Sequence, residues 1–543
     1  MVDHGRQSEV DPSSTLPRLF HSRSNEVEDG QSTNPMEDLS KKDLLAHAEV
    51  DSPSSVPLIR MNTDNENNHD NNNNIVNSTS TATPMHPQAT RLYKRRFFAL
   101  AQLSLLNIIV SWCWLTFASL SKTSATFFDV SESAINWLST GFLFAFVIAS
   151  PITLYSLNKK GCKYSMIIAS ILLLLGSWIR YIGTRLPENS SSNSNPDSSI
   201  KRRFGMVLFG QIIIGFAQPF VLSAPTRLSH QWFSEKGRIT ATALASLCNP
   251  LGGALGQLIG PFMADSPEQV PNLVLYVAII TTVITVPTIF IPAGPPIPPT
   301  TTPFQDTKID MKTIRSLFSN LTFHLIAWPF IIYVAAFNST SSLLNQILGP
   351  YGLSEDQAGI DGAVMIVVGL LASAIASPIL DHYKLIRLTA IKILVITISV
   401  MYIAFIYIPK TKNLIGPAII SAIIGSSSFI LLPLALELLA DVTWPIGPEV
   451  SSTICWSLSQ LAGGILLVSM SALKGGMKNE PDNSMFRSLV LQGVLCCIAA
   501  PLPLCLGLWG TGKRKRDSKG DISTDPSTEG NEEIRLGTGA MTA

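Results

Sequence analysis

The chain has 543 residues, of which 46% are hydrophobic and only 14% charged, with a formal net charge of +1. Soluble domains carry about 25% charged residues, so the composition indicates a membrane protein, and the balanced charge excludes the basic surface that nucleic acid binding requires. No HExxH, no G-x-x-x-x-G-K-[ST] and no nucleophile–base pair is present, which argues against a metalloprotease, an ATP-driven pump or a membrane enzyme and leaves no place for a cofactor.

Residues 1–90 are rich in Asn, Ser, Asp and Pro, as in NTDNENNHDNNNN at 62–74. They hold no apolar run that could seed a core, so a disordered cytoplasmic tail is expected. Nor do they contain the apolar stretch of a secretory signal, so the first membrane span is expected to direct its own insertion. A hydrocarbon layer about 30 Å thick needs about 20 mostly apolar residues per helix. Twelve such windows follow, at 97–121, 134–157, 164–184, 205–226, 239–263, 272–293, 319–346, 358–380, 386–409, 414–439, 447–473 and 486–510. A Pro-rich connector, PAGPPIPPTTTP, opens the segment 294–318 between the sixth and seventh. The expected fold class is an all-α membrane protein of twelve transmembrane helices in two six-helix halves, 91–293 and 319–510, with a cytoplasmic linker between them and a disordered tail at 511–543. Lys and Arg near the span ends favour the side of the N-terminus by about two to one, which predicts that both termini are cytoplasmic. The seven cysteines show no metal-like spacing and read as small packing residues.

Polar residues inside the spans are the candidate functional positions, because a polar group in hydrocarbon must find a partner or face water. In the first span Asn107, Ser111, Trp114, Ala118 and Ser121 share one helical face. Trp112 points the other way, to lipid or a neighbouring helix. Arg180, near the end of the third span, is expected to snorkel toward the interface. In the fourth span Gln211 and Gln218 lie seven apart, with Pro219 next to the second, so a freed carbonyl there could line a cavity. SLCNPLGG at 246–253 returns as SLSQLAGG at 457–464, in the fifth helix of each half. This repeat marks a parallel duplication of a six-helix unit with Asn249 and Gln460 as symmetry mates. Asn249 fits either a helix-to-helix hydrogen bond or a cavity wall, and Gln460 a cavity wall. Gly252, Gly256 and Gly260 form a GxxxGxxxG face suited to close helix packing. Pro433 interrupts the tenth span, and Glu437 and Asp441 follow at its cytoplasmic end, where they can bridge helix ends or act in gating or proton coupling.

The basic loop LNKKGCK (157–163) between spans two and three, with six plus six helices, resembles the major facilitator superfamily. Asn158 stands where that loop motif has an acid, and Asp381 occupies the equivalent place in the second half. YKRRF (93–97), INWLS (135–139), GQIIIGFAQPFVLSAPTRLSHQWF (210–233), SSLLNQI (341–347) and PLALELLADVTWPIGPEVSS (433–452) resemble, more closely, the feline leukaemia virus subgroup C receptor-related family, also called solute carrier family 49. The resemblance implies a secondary transporter of small organic solutes such as choline and ethanolamine, haem, or pyridoxine-like compounds. A receptor that binds such a solute without moving it is the alternative. Trp114, Gln218 and Gln460 match the family's substrate-facing positions. Where relatives have a tyrosine pair in span seven this chain has Phe337 and Asn338, which keeps one aromatic wall. Trp114 and Phe337 could hold a quaternary ammonium by cation–π contact, whereas the mid-membrane region offers haem no histidine. An organic cation is therefore the expected substrate. The expected partners are that small molecule and the lipid bilayer of a plasma or vacuolar/endomembrane, with the protein a monomer.

Overall fold

Apolar runs interrupted only by Gly, Pro and isolated polar groups leave the backbone one way to satisfy its hydrogen bonds in hydrocarbon, the α-helix. The helices, in chain order, are α1 (Arg95–Leu115), α2 (Ser121–Phe128), α3 (Glu132–Lys160), α4 (Cys162–Arg185), α5 (Pro196–Leu222), α6 (Ala224–Trp232), α7 (Glu235–Met263), α8 (Val270–Thr285), α9 (Met311–Phe318), α10 (Leu321–Leu348), α11 (Glu355–His382), α12 (Arg387–Tyr407), α13 (Ile415–Thr443), α14 (Pro448–Ala472), α15 (Phe486–Ala499) and α16 (Pro501–Leu504). The computed structural model describes residues 92–187, 196–297, 311–383, 386–443, 446, 448–475 and 480–506, all within the unit Pro84–Ala543. Both expected tails, the second half of the Pro-rich connector and the Asn189 sequon lie outside the described residues.

Eleven helical segments among the described residues are long and apolar enough to cross a membrane. The remaining expected span, α7, runs 29 residues but is diluted by Asn249, Pro250, Gln257 and its glycines. Its place between α1 and α11 explains why it can be less apolar: it faces protein more than lipid. Lipid-facing positions are apolar and exposed instead, as at Ile148, Ile375 and Phe290.

Local signals set the helix ends. Ser131 caps α3 by accepting from the Ala134 amide at 3.2 Å, with Glu132 in the first turn against the helix dipole. Gly161, at φ +83°, makes the abrupt change of direction from α3 into α4. Ser354 and Gln357 form a capping box that starts α11. The first span departs from expectation. Its helix stops at Leu115, and residues 116–120 form turns before α2 begins at Ser121, so Ala118 and Ser121 do not continue the Trp114 face.

One hydrophobic core is built from α1 and α3–α8, another from α10–α15. A small cluster of Ala254, Ile366 and Phe429 joins the two. The fifth helix of each half makes equivalent contacts: α7 lies on α1 and α11, and α14 lies on α10 and α3. The glycine face of α7 sits directly on α1. A Cβ at Gly252 would collide with the Ile108 carbonyl, and one at Gly256 would stand 3.0 Å from the Trp112 carbonyl oxygen. Ser119 Oγ donates to the Gly256 carbonyl at 3.1 Å across the same contact. Gly256→Leu is therefore expected to abolish folded protein, measured as loss of the monodisperse peak in size-exclusion chromatography of detergent-solubilised membranes; normal yield and melting would show that this contact tolerates a side chain.

Candidate functional site

A cavity of about 170 Å³ lies between the halves. From the first half come Ser111 and Trp114 of α1, Gln218 of α5 and Asn249 of α7; from the second come Phe337 and Asn338 of α10, Phe429 of α13 and Trp456 and Gln460 of α14. Trp114, Gln218, Asn249, Phe337 and Gln460 thus share one wall system. Glu437 and Asp441 do not line it. Glu437 pairs with Arg387 at 2.5 Å, and Arg387 Nε donates to the Leu380 carbonyl at 2.9 Å, which ties together the ends of α11, α12 and α13.

Trp114 stacks on Phe142 of α3, with ring centroids 6.0 Å apart and planes 14° apart. Phe337 meets Phe429 edge to face at 5.3 Å, and Trp456 meets Phe330 in the same way at 5.5 Å. The aromatic groups are thus held by other rings. The amides repeat one device in each half. Asn249 Nδ2 donates to the Asn107 carbonyl and Oδ1, each at 3.4 Å, and Asn338 Nδ2 donates to Gln460 Oε1 at 2.9 Å. Asn249 therefore fills both roles left open for it. Among the described lining residues, the buried Gln218 Oε1, Trp114 Nε1 and Ser428 Oγ have no hydrogen-bond partner. Among the described residues no Asp, Glu, Lys, Arg or His lines it.

Trp112, expected to face lipid or a neighbouring helix, is buried, and its backbone lies against Gly256 of α7. Arg180 corrects its expectation: it does not snorkel but is fully buried. Its Nη1 donates to the Cys113 carbonyl at 3.0 Å and to Gln211 Oε1 at 2.8 Å, and its guanidinium lies 5.5 Å from the Phe117 ring centroid. Gln211 Nε2 in turn donates to the carbonyls of Cys113 and Trp114 at 3.1 and 3.4 Å. The reason is the break after Leu115. It leaves carbonyls at the negative end of the α1 dipole without helical donors, and a buried cation and an amide satisfy them. Sequence reasoning missed this cap because the break has no Pro or Gly to mark it. It also missed Phe429 and Trp456, although Trp456 lies four residues before Gln460 and on its helical face.

The end of the bundle opposite the start of α1 is closed by polar contacts between the halves. Lys474 pairs with Glu132. Asn136 and Gln346 exchange amide hydrogen bonds at 3.2 and 2.6 Å, and Asn136 Nδ2 also donates to Ser471 Oγ at 3.0 Å. Glu355 accepts from the Lys122 amide at 2.9 Å and from the Thr123 hydroxyl. Tyr351 and Lys410 both bind Glu480 there, and the Lys410 ammonium is the main cause holding that carboxyl below its usual range. Toward the other end the cavity lining continues to Ile326, Leu438 and Leu506. A second space of about 740 Å³ lies between α3 and α14 there, with Asn158 and Lys159 on its wall.

This is the two-half helical architecture of the facilitator-type transporters, and comparison bears that out. The family model described as Major Facilitator Superfamily matches residues 96–465. Solute carrier family 49 member A3 of Xenopus tropicalis is 30% identical over 371 residues, covering 66% of this chain and 73% of that protein. The choline/ethanolamine transporter FLVCR1 of Mus musculus is 28% identical over 392 residues, 67% of each chain. The xylose transporter XylE of E. coli, solved in an inward-open conformation, superposes with a TM-score of 0.58 at 13% identity, covering 78% of this chain and 99% of that one. The chain belongs to the major facilitator superfamily and, within it, to solute carrier family 49.

Proposed function

We propose that this protein is a secondary transporter that moves a choline- or ethanolamine-like organic cation by alternating access, with Trp114, Gln218, Asn249, Phe337 and Gln460 as its substrate contacts. One observation carries the reading: the cavity is walled by aromatic rings and amides from both halves and, among the described residues, by no charged side chain. A quaternary ammonium needs no acid when aromatic faces surround it, each contact contributing roughly 0.5–2 kcal/mol. Residues from both halves are what alternating access requires, since each half must leave the solute in turn. FLVCR1 of Mus musculus carries the name choline/ethanolamine transporter, which supports the same substrate class. Haem would draw on His, Cys, Met or Tyr ligands; among the described residues the lining holds of these only Tyr333, whose hydroxyl is engaged with Ser399.

On this reading the closed end is the outer face and the other the cytoplasmic face, an inward-facing arrangement. Lys and Arg near the span ends support this orientation. In a glycosylating host, glycan should therefore be found on Asn189 and never on Asn77; peptide mapping that found it on Asn77 would reverse the topology.

Purified protein in liposomes, offered labelled choline, ethanolamine, pyridoxine and haem, tests the substrate. Saturable uptake of choline or ethanolamine is expected. Uptake of pyridoxine or haem in its place would reassign the solute, and a compound that raises thermal stability without crossing would make the protein a receptor.

A further inference from the structure

Two charged side chains are fully buried among the described residues, Arg180 in the first half and Asp361 in the second. Arg180 Nη1 is taken up by the Cys113 carbonyl and Gln211 Oε1 and its guanidinium lies on Phe117, although its Nε and Nη2 have no partner. Asp361, inside α11 and 0% exposed, has no such set of partners: its Oδ2 accepts from Ser421 Oγ at 3.0 Å, and its Oδ1 has no partner. A buried carboxylate with a single neutral donor lacks the cation or hydrogen-bond shell that would make burial tolerable.

The elements packed on α11 are α7, α10 and α13, and they bring no charge to Asp361. Of their ionisable residues, Arg238 near the start of α7, His324 near the start of α10, and Glu437 and Asp441 near the end of α13 lie at the opposite end of the bundle. Tyr333 of α10 is engaged with Ser399. At the near end, Glu355 and Asp356 lie in the first turn of α11 itself, Asp265 follows α7, and Lys410 and Lys412 precede α13; Glu355 is occupied by Lys122, Thr123 and Asn345, and Lys410 by Glu480.

We infer that Asp361 and Ser421 form a proton-binding site, and that its occupancy is coupled to opening of the outer end. The inference rests on the transporter reading above. One proton adds to Oδ1 and neutralises one charge; a carboxyl and a hydroxyl alone supply too few oxygens for sodium. Asp361 lies six residues into the helix whose first residue, Glu355, helps to hold the halves together, a rise of about 9 Å. Parting the halves there would bring water toward the carboxyl and let the proton exchange. On the inner side the pair leads to the cavity. One turn further along each helix, α11 and α13 are in backbone contact at Met365 and Gly425, and Phe429, one turn beyond Gly425, lines the cavity. A change in charge at Asp361 would therefore act on α11–α13 packing and on the Phe429 wall.

The test uses purified full-length protein. Infrared difference spectroscopy across pH should show the C=O band of one buried carboxylic acid, absent from Asp361→Asn and shifted in frequency in Ser421→Ala; this reading needs no solute. Radiolabelled choline uptake into liposomes should change several-fold when a proton gradient is imposed, and Asp361→Asn should bind choline normally, by thermal shift, yet transport it without that response. Absence of the band from wild type overturns the proton site. A band with identical gradient response in wild type and Asp361→Asn overturns the coupling. A response to sodium in place of protons, lost in Asp361→Asn, would overturn the choice of ion. Failure of choline to cross at all would count against the substrate reading, with the infrared result still deciding the site.

Discussion

Trp114→Ala is expected to abolish saturable choline uptake while leaving a folded, monodisperse protein. The indole forms the wall of the cavity on the first half and stacks on Phe142, so its removal takes away an aromatic face that an ammonium ion would use, worth roughly 0.5–2 kcal/mol for the cation contact alone. It also leaves Phe142 exposed to the cavity. Trp114→Phe should keep part of the uptake, because the π-face survives in weaker form. Trp112→Ala separates the two roles: that residue is buried in the first-half core and does not line the cavity, so its loss should lower the melting temperature and leave the half-saturation concentration unchanged. Uptake kinetics at equal protein content, with melting curves for all three variants, check this. Wild-type kinetics in Trp114→Ala would remove it from the site.

Arg180→Ala is expected to do the most damage to the fold. It deletes a fully buried side chain, leaves Gln211 Oε1 without its donor and withdraws one of two donors from the Cys113 carbonyl. A large-to-small change of this kind costs about 2–5 kcal/mol, and each buried group left unsatisfied adds roughly 1–3 kcal/mol. Arg180→Met refills the volume without the donors. It should recover yield but raise the half-saturation concentration for choline, since the Trp114 carbonyl is held by Gln211 and Gln211 by Arg180. Equal kinetics in Arg180→Met and wild type would show that the cap does not position Trp114.

Much of this was legible in the residues. The apolar windows gave the span count, and the SLCNPLGG and SLSQLAGG repeat identified the fifth helices, whose amides the structure brings to one cavity. The glycine spacing located the α7–α1 contact because close backbone approach has a compositional signature. What escaped detection depends on tertiary partners. Nothing in SWCWLTFASLSK marks a helix end at Leu115, because carbonyl groups there are satisfied by Arg180 and Gln211, 67 and 98 residues away. Arg180 was misread for the same reason: sequence position placed it near an interface, while its guanidinium follows the broken helix inward. Asp361 stood in plain view in an apolar window, and only its lack of any charged partner gives it meaning.

The central claim is that the cavity serves both sides of the membrane by opening of the end now closed. Glu132 and Lys474, which pair across the halves at that end through the tips of two long side chains, can be replaced together by cysteines and joined by a bis-methanethiosulfonate linker, which spans separations too long for a direct disulfide. With the link formed, choline uptake into liposomes should stop while choline still raises thermal stability, and a thiol reductant should restore uptake; wild type treated with the same reagent serves as the control. Undiminished uptake with the halves covalently locked would contradict alternating access through this cavity.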